Sequence, residues 1–218
     1  MTDGENGLPA DPDCFVSLED GDEVEIKVKG SRFIGQALHA DSEASALERL
    51  AAVRRRYHDA THHCWAMRIG SPGRLRERYD DAGEPAGTAG PPILRAIERE
   101  AIHDAVVVVT RYYGGTKLGT GGLARAYADA ARDAIAAARR RELFRCVTLA
   151  LECSFDDLGA IEAVLARSGV FVRDVQRTFS PSPCFMLSVL ASRAAALTAT
   201  IRDVTAGRAA VTRRPASD

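Results

Sequence analysis

The feature that most constrains the fold is the stretch VVVVTRYYGGTKLGTGGLAR, which spans residues 106–125. It begins with a continuous run of β-branched apolar residues, a pattern typical of a strand in the centre of a sheet. A glycine-rich segment follows at residues 114–122, here named the glycine loop, and the alanine-rich segment after it predicts a helix that begins near Thr120. The stretch therefore predicts a central strand that leads through a glycine corner into a helix.

The other strands of the N-terminal half come in two pairs. EVEIKVKG alternates apolar and polar residues and SRFIGQALHA follows it, so the KGS between them predicts a hairpin turn. HHCWAMRIG and LRERYDD predict a second antiparallel pair.

Helices are expected between these strands. Asp41 or Ser42 is the expected N-cap of one helix, and the segment PILRAIERE predicts another whose first turn holds two prolines. The alanine-rich helix is expected to end on Arg139–Arg141, because cations suit the negative end of its dipole. This mixture of elements predicts an α+β domain over residues 21–143.

The remainder of the chain has a different order of elements. Four strand patterns and two helix patterns follow one another as β-α-β-β-α-β, which is the ferredoxin-like arrangement. We place this second domain at residues 147–213, with a boundary near residues 143–147. Residues 1–20 contain Gly, Pro and acids without periodicity, and we interpret them as a flexible acidic leader.

Composition and charge narrow the class of protein. With 46 % hydrophobic and 27 % charged residues, the chain has the composition of an ordinary globular protein. Residues 1–26 carry nine acids and no Lys or Arg, whereas residues 27–146 have a net charge of +7. The basic part fits an anionic partner, and it also fits a plain solvated surface. No apolar run is long enough for a bilayer and the N-terminus lacks a signal-peptide pattern, so we expect a cytoplasmic protein without a membrane partner.

The glycine loop is the first candidate site. The first amides of a helix lack internal partners and carry the positive end of the helix dipole, and neighbouring glycines leave them accessible. Cationic side chains around them predict a site for an anion or a nucleic acid backbone. The spacing matches neither GxxxxGK[ST] nor GxGxxG, and the alternative is a tight turn in which Thr120 is only an N-cap. The candidate residues are Arg111, Lys117, Thr120, Gly121, Gly122 and Arg125.

A second loop, here named the acidic loop (residues 80–89), also leads into a helix start. Asp80, Asp81 and Glu84 can in principle assist a metal ion, but three acids among Gly and Pro are more typical of turn residues. We therefore predict neither a metal site nor a cofactor. Thr88 is a candidate helix cap, and Glu84 and Thr88 are expected partners of the glycine loop if the two loops share a groove.

His62 and Tyr112 complete the expected groove partners. His62 and Cys64 are two residues apart, so they face the same side of a strand. We expect packing or a polar contact there, because no further ligand lies at a spacing that suits zinc. Tyr112 and Tyr113 beside Arg111 can stack on bases, as single-strand binders require, or fill the core.

Four ordered motifs carry a resemblance to a known family. KGSRFIG, DATHHCWA, DDAGEPAGTAGPPIL and VVVVTRYYGGTKLGTGGLARAY, between residues 20 and 140, resemble the IMPACT (YigZ-type) family. The acidic loop departs from the family pattern: Ala82 interrupts the usual DDGEP run, and Pro91 stands where a basic residue is often found. Both departures weaken a metal or charge role for that loop.

The resemblance implies a fold for each domain. The first is expected to be like the second domain of a small-subunit ribosomal protein, a fold also found in elongation factor G domain IV and in small-molecule kinases. The second is expected to be ferredoxin-like, as in elongation factor G domain V. Eukaryotic members regulate translation and carry an additional RWD domain, so for this chain the resemblance implies only a looser link to translation or RNA.

Three functions follow as hypotheses. The first is a non-enzymatic binding protein that contacts RNA, a ribosome or a ribosome-associated partner through the glycine loop. The second is an enzyme for a phosphorylated small molecule or nucleotide, and the third is a pure protein-interaction module. We identify no catalytic residue, and a proline dipeptidase is not expected because the chain lacks a recognisable set of two-metal ligands.

Overall fold

A computed structural model describes residues 11–214, and the chain separates into two compact units. The N-terminal unit is Phe15–Leu143, and the described part of the C-terminal unit is residues 144–214 together with residues 11–14. The elements are, in chain order, β1 (Cys14–Leu18), β2 (Val24–Val28), β3 (Ser31–His39), α1 (Glu43–Arg56), β4 (His62–Ile69), β5 (Arg76–Asp80), α2 (Gly90–Arg99), β6 (Ala105–Tyr112), α3 (Gly119–Ala137), β7 (Arg140–Phe144), β8 (Cys146–Glu152), α4 (Leu158–Arg167), β9 (Val172–Thr178), β10 (Cys184–Leu190), α5 (Ala194–Val204) and β11 (Ala210–Arg214).

The N-terminal unit is built on a five-stranded antiparallel sheet of order β2-β3-β6-β4-β5. The two predicted strand pairs are confirmed, and β6 lies between them at the centre of the sheet. Val107 and Val109 pack with α2 and α3 on one face, while Val106 and Val108 pack with α1 on the other. The continuous apolar run of β6 follows from this burial on both faces.

The predicted starts of the first two helices agree with the structure. The Ser42 hydroxyl accepts a hydrogen bond from Ser45 N and caps α1, and Pro91 and Pro92 lie in the first turn of α2. Gly35 allows α3 to lie close to β3, because a Cβ added to Gly35 would stand 2.5 Å from Ala130 O.

Two expectations about local structure are wrong. The helix expected to end on Arg139–Arg141 ends at Ala137, and Arg140 and Arg141 belong to β7. This strand pairs with β1, which occupies Cys14–Leu18 inside the expected flexible leader. Backbone pairing between distant parts of the chain thus overrides two local patterns. Residues 1–10 of the expected leader lie outside the described residues.

The C-terminal unit has the predicted β-α-β-β-α-β order of a ferredoxin-like fold. Its antiparallel sheet has the strand order β11-β8-β10-β9, and α4 and α5 supply apolar residues to one core with the sheet. The protein is therefore of the α+β class, as predicted. Within residues 11–214, no helix is long and apolar enough to cross a membrane.

Asp13 belongs to the C-terminal unit through its buried carboxylate. It accepts hydrogen bonds from Ser192 N at 2.7 Å and from Arg145 Nη2 at 2.7 Å. Burial acts to raise the pKa of Asp13, but the hydrogen bonds from Ser192 and Arg145 outweigh it and the pKa lies below its usual value.

Candidate anion-binding site

The glycine loop and the β2–β3 hairpin turn meet through their backbones. Gly30 has φ +84°, and a Cβ added to Gly114 would stand 1.9 Å from the carbonyl carbon of Gly30. The Ser31 hydroxyl, next to Gly30, accepts hydrogen bonds from Gly114 N and from Arg111 Nη2, both at 3.2 Å. Only glycine allows so close an approach, so two motifs far apart in the sequence form one corner of the unit.

A buried ion pair lies beneath this corner. Arg111 Nη1 donates to Glu84 Oε1 at 2.5 Å, and the two residues are 4 % and 9 % exposed. Tyr127 also donates to Glu84 Oε1, at 2.8 Å, and Cys64 Sγ lies 3.3 Å from the Tyr127 hydroxyl. The charge of Arg111 is thus balanced inside the protein.

Cys64 is not a nucleophile in this setting. Its side chain is fully buried, and burial raises the pKa of the Cys64 thiol to about 12. Burial also raises the pKa of the Tyr127 hydroxyl far above its usual value. Both groups are neutral at physiological pH, so they serve as hydrogen-bonding core residues.

One acid of the acidic loop, Asp81, accepts hydrogen bonds from the backbone amides at the start of α2. The Asp81 carboxylate accepts hydrogen bonds from Ala89 N, Gly90 N and Gly87 N at 2.7–2.8 Å. Partial burial acts to raise the pKa of Asp81, but these three backbone donors together lower it below its usual value. Thr88 is not the cap: its hydroxyl donates to Pro85 O at 2.6 Å. The N-terminus of α2 is therefore occupied by the protein's own anion.

The glycine loop leaves the start of α3 without such a partner. The N-cap residue is Leu118, and no side chain among residues 11–214 caps the first turn. Thr120 lies inside the first turn and is therefore not the N-cap. Residues 113–117 and 119–121 are exposed, and a Cβ added to Gly121 would meet no atom within 4 Å. The first amides of α3 are thus accessible from outside.

A cavity of about 350 Å³, here named the loop cavity, separates the two loops at this point. Its polar lining comes from Glu84, Arg111, Lys117 and Thr120. The glycine loop and the acidic loop therefore share one cavity, with the buried ion pair at one wall and the exposed Lys117 at another.

Other candidate residues lie outside the loop cavity. Arg125 and Gly122 line a neighbouring cavity of about 190 Å³, together with Lys29. Thr88 is buried, and neither it nor His62 lines the loop cavity.

His62 and Tyr112 make contacts of their own. His62 Nδ1 lies 3.0 Å from Ala82 O, and His62 Nε2 lies 3.8 Å from Glu84 Oε1. His62 and Cys64 face the same side of β4, as predicted. The Tyr112 hydroxyl donates to Asp59 at 2.7 Å, whereas the ring of the exposed Tyr113 lies over the Arg111 guanidinium and lines the loop cavity.

Sequence reasoning missed three residues that shape the site. Tyr127 was assigned only to a helix, Ser31 only to a turn, and Asp81 was not identified as the cap of α2. An Asp within a Gly- and Pro-rich segment just before a helix is a usable signal for a cap. Nothing local marks Tyr127 and Ser31, because their partners lie 43 and 80 residues away in the chain.

No group of three or more His, Cys, Asp or Glu side chains that could hold a metal ion occurs among residues 11–214. Asp81, one of the three acids considered for a metal ion, already accepts three backbone hydrogen bonds. The site offers exposed amides and a lysine beside a buried ion pair.

Comparison with known proteins identifies the family. The family model of the Impact N-terminal domain matches residues 29–135. The IMPACT family member YigZ of Escherichia coli (strain K12) is 37% identical over 142 residues, which are 65% of this chain and 70% of that protein. The IMPACT family member YvyE of Bacillus subtilis (strain 168) is 33% identical over 163 residues, 74% of each chain. The crystal structure of a hypothetical protein aligns with 94% of this chain and 99% of its own, with 28% identity and a TM-score of 0.68. The chain belongs to the IMPACT family.

Proposed function

We propose that the protein is a non-enzymatic binding protein that contacts RNA, free or on the ribosome, through the glycine loop. The observation that carries this proposal is the contrast between its two glycine-rich loops. Asp81 occupies the amides at the start of α2, whereas the amides at the start of α3 are exposed beside Lys117. An uncapped helix start with a cation beside it favours a phosphate supplied from outside.

Further cations extend this surface along α3. A cavity of about 500 Å³ between α2 and α3 is lined by Arg95, Arg99 and Arg132, together with one acid, Glu98, and several alanines. Its α3 residues follow Thr120 at intervals of four, so they lie on the same face of the helix. A phosphate backbone that begins at Lys117 can follow this face, since several spaced cations suit a polyanion.

The link to translation is part of the same proposal. Membership of the IMPACT family supports it, because the four motifs that carry the family resemblance include the glycine loop and the acidic loop. RNA on a ribosome presents the same phosphate chemistry as free RNA. The experiment below therefore distinguishes binding to RNA on the ribosome from binding to free RNA.

The geometry gives less support to an enzyme for phosphorylated substrates. Such a reaction requires an acid or base near the acceptor hydroxyl. The candidates were Asp81 and Glu84, but Asp81 is engaged by backbone amides and Glu84 by Arg111 and Tyr127. Both carboxylates are therefore already engaged by groups of the protein itself.

RNA binding at two salt concentrations tests the proposal. We expect the wild-type protein to bind single-stranded RNA at low salt and to lose affinity steeply as salt rises. Lys117→Ala should weaken binding and reduce the salt slope by about one, because one phosphate contact is lost. Lys27→Ala is the matched control, since Lys27 pairs with Glu25 and lies outside both cavities.

Cosedimentation with purified ribosomes, repeated with both variants, separates bound ribosomes from bound free RNA. Absence of RNA and ribosome binding at low salt would overturn the proposal. Equal affinities of the Lys117→Ala and Lys27→Ala variants would also overturn it, because the glycine loop would then not be the contact surface.

A further inference from the structure

The walls of the loop cavity are more apolar than a phosphate site requires. Beside its polar residues, the cavity is lined by Pro85, Tyr113, Leu118 and Leu123. Tyr113 is 47% exposed, so one face of a large aromatic side chain is accessible. Apolar walls do not contribute to the binding of a phosphate. A flat ring with polar edges can pack against the apolar walls and also form hydrogen bonds with the amides.

The polar end of the cavity has hydrogen-bonding capacity that the protein does not use. Arg111 is 4 % exposed and lines the cavity, and its Nε has no hydrogen-bond partner among the described residues. The Glu84 Oε1 atom accepts the hydrogen bonds from Arg111 and Tyr127. Buried polar atoms are nearly always paired, so the unpaired Arg111 Nε at this end suits a ligand edge that carries a hydrogen-bond acceptor.

We infer that the loop cavity takes one unpaired nucleobase of RNA. The base stacks on Tyr113 between the apolar walls and presents its polar edge toward Glu84 and Arg111. Its phosphate lies outside, at Lys117 and the first amides of α3. This inference rests on the proposed function and adds to it that the protein selects single-stranded over duplex RNA.

The size of the cavity supports a single base as the occupant. At about 350 Å³ it lies at the lower end of the range of about 300–1,000 Å³ found for ligand pockets. In a duplex the bases are stacked and paired inside the helix, so they cannot reach the cavity, whereas an unpaired base can be splayed out onto an aromatic ring. Stacking of this kind tolerates any base, so little sequence preference is expected.

Three RNA probes of equal length test the inference with the full chain. They are a mixed-sequence single strand, the same strand as a blunt duplex, and an abasic strand that keeps every phosphate. We expect the single strand to bind about 5- to 150-fold more tightly than the abasic strand, which corresponds to the range found for stacking of a base on an aromatic side chain. The duplex should bind more weakly than the single strand despite its greater charge.

Substitution of Tyr113 tests whether its ring is responsible for the preference for the single strand over the abasic strand. Tyr113→Ala should reduce the affinity for the single strand to that for the abasic strand, while Tyr113→Phe should retain the preference because the ring remains. Tyr79→Ala is the matched control, since Tyr79 is also an exposed tyrosine (52%) and does not line the cavity. A strand with 4-thiouridine should crosslink to the loop cavity of the wild-type protein, which needs no variant to fold.

Each outcome decides the question. Equal affinities for the single and abasic strands would overturn the base site while leaving phosphate binding in place. A preference that survives Tyr113→Ala, or crosslinks mapped only to other surfaces, would also overturn it. Failure to bind any of the three probes at low salt would overturn the inference and the proposed function together.

Discussion

Glu84 Oε1 and Arg111 Nη1 lie 2.5 Å apart, and both side chains are buried. The pair joins the acidic loop to the end of β6 and forms the polar wall of the loop cavity. Arg111 was expected to bind an external anion, but its charge is balanced by Glu84 and its guanidinium also bonds Ser31. Among the cations expected at the glycine loop, Lys117 and Arg125 are the ones that remain exposed.

Breaking this ion pair should destabilise the protein strongly. Glu84→Gln leaves a buried guanidinium without a counter-charge, and loss of one partner of a buried pair costs about 3–5 kcal/mol. Arg111→Met should cost a similar amount, because it leaves Glu84 buried and unpaired. The free energy of unfolding from urea titrations measures both.

The double variant provides the control for that prediction. Glu84→Gln with Arg111→Met leaves no buried charge, so its loss should be clearly smaller than the sum of the two single losses. Additive losses would show that the two side chains contribute independently and would contradict the coupling inferred from their distance.

Two glycines of the glycine loop should respond in opposite ways to alanine. Gly114→Ala places a Cβ 1.9 Å from the carbonyl carbon of Gly30, so we expect a loss of about 3 kcal/mol or more. Gly121→Ala meets no atom within 4 Å and adds a better helix former, so stability should be unchanged or rise by up to about 1 kcal/mol.

The same Gly121→Ala variant also reports on binding. If RNA phosphates approach the amides of α3, the added methyl group should weaken binding about two- to tenfold, the value of one hydrogen bond. Thermal melts and RNA titrations of one preparation give both results. Unchanged RNA affinity with a correctly folded variant would contradict contact at this helix turn.

Asp81 should make stability depend on pH at the acidic end. Its pKa is lowered in the folded protein from an ordinary value of 3.8, so its contribution is complete above that value and is lost as pH falls through the lowered pKa. Asp81→Asn should cost about 1–2 kcal/mol at neutral pH through loss of the helix cap. The difference between variant and wild type should shrink below about pH 4, as the wild-type carboxyl becomes protonated.

Glu98→Gln is the control for that series, because Glu98 is exposed in α2 away from the helix start. It removes the same charge without removing a cap. A difference between Asp81→Asn and wild type that stays constant down to pH 2 would show that the Asp81 carboxylate is not the group that titrates.

Cys64 should resist alkylation in the folded protein. A thiol pKa of about 12, compared with an ordinary value of 9.0, leaves about 1,000-fold less thiolate at pH 8. Iodoacetamide should therefore label the partly exposed Cys184 while Cys64 stays unmodified until urea unfolds the chain. Mass spectrometry of the labelled peptides measures both sites, and rapid labelling of Cys64 without urea would contradict its burial.

Local sequence patterns were sufficient for most elements. The β2–β3 and β4–β5 pairs, the prolines at the start of α2 and the C-terminal order of strands and helices all follow from periodicity and turn residues. The local pattern was insufficient at the end of α3. The helical pattern continues through Arg140 and Arg141, but these residues form β7, because pairing with β1 satisfies the hydrogen bonds of their backbone groups.

By itself, the sequence determined the α+β class, the central position of β6, and the glycine loop as the main candidate site, since alternation and glycine content are local properties. Only the tertiary structure decided which groups remain exposed in that loop. Arg111 is paired because Glu84, 27 residues away, folds back onto it, and the start of α2 is filled because Asp81 lies within reach of its amides. Such contacts depend on distances between parts of the chain that no local pattern encodes.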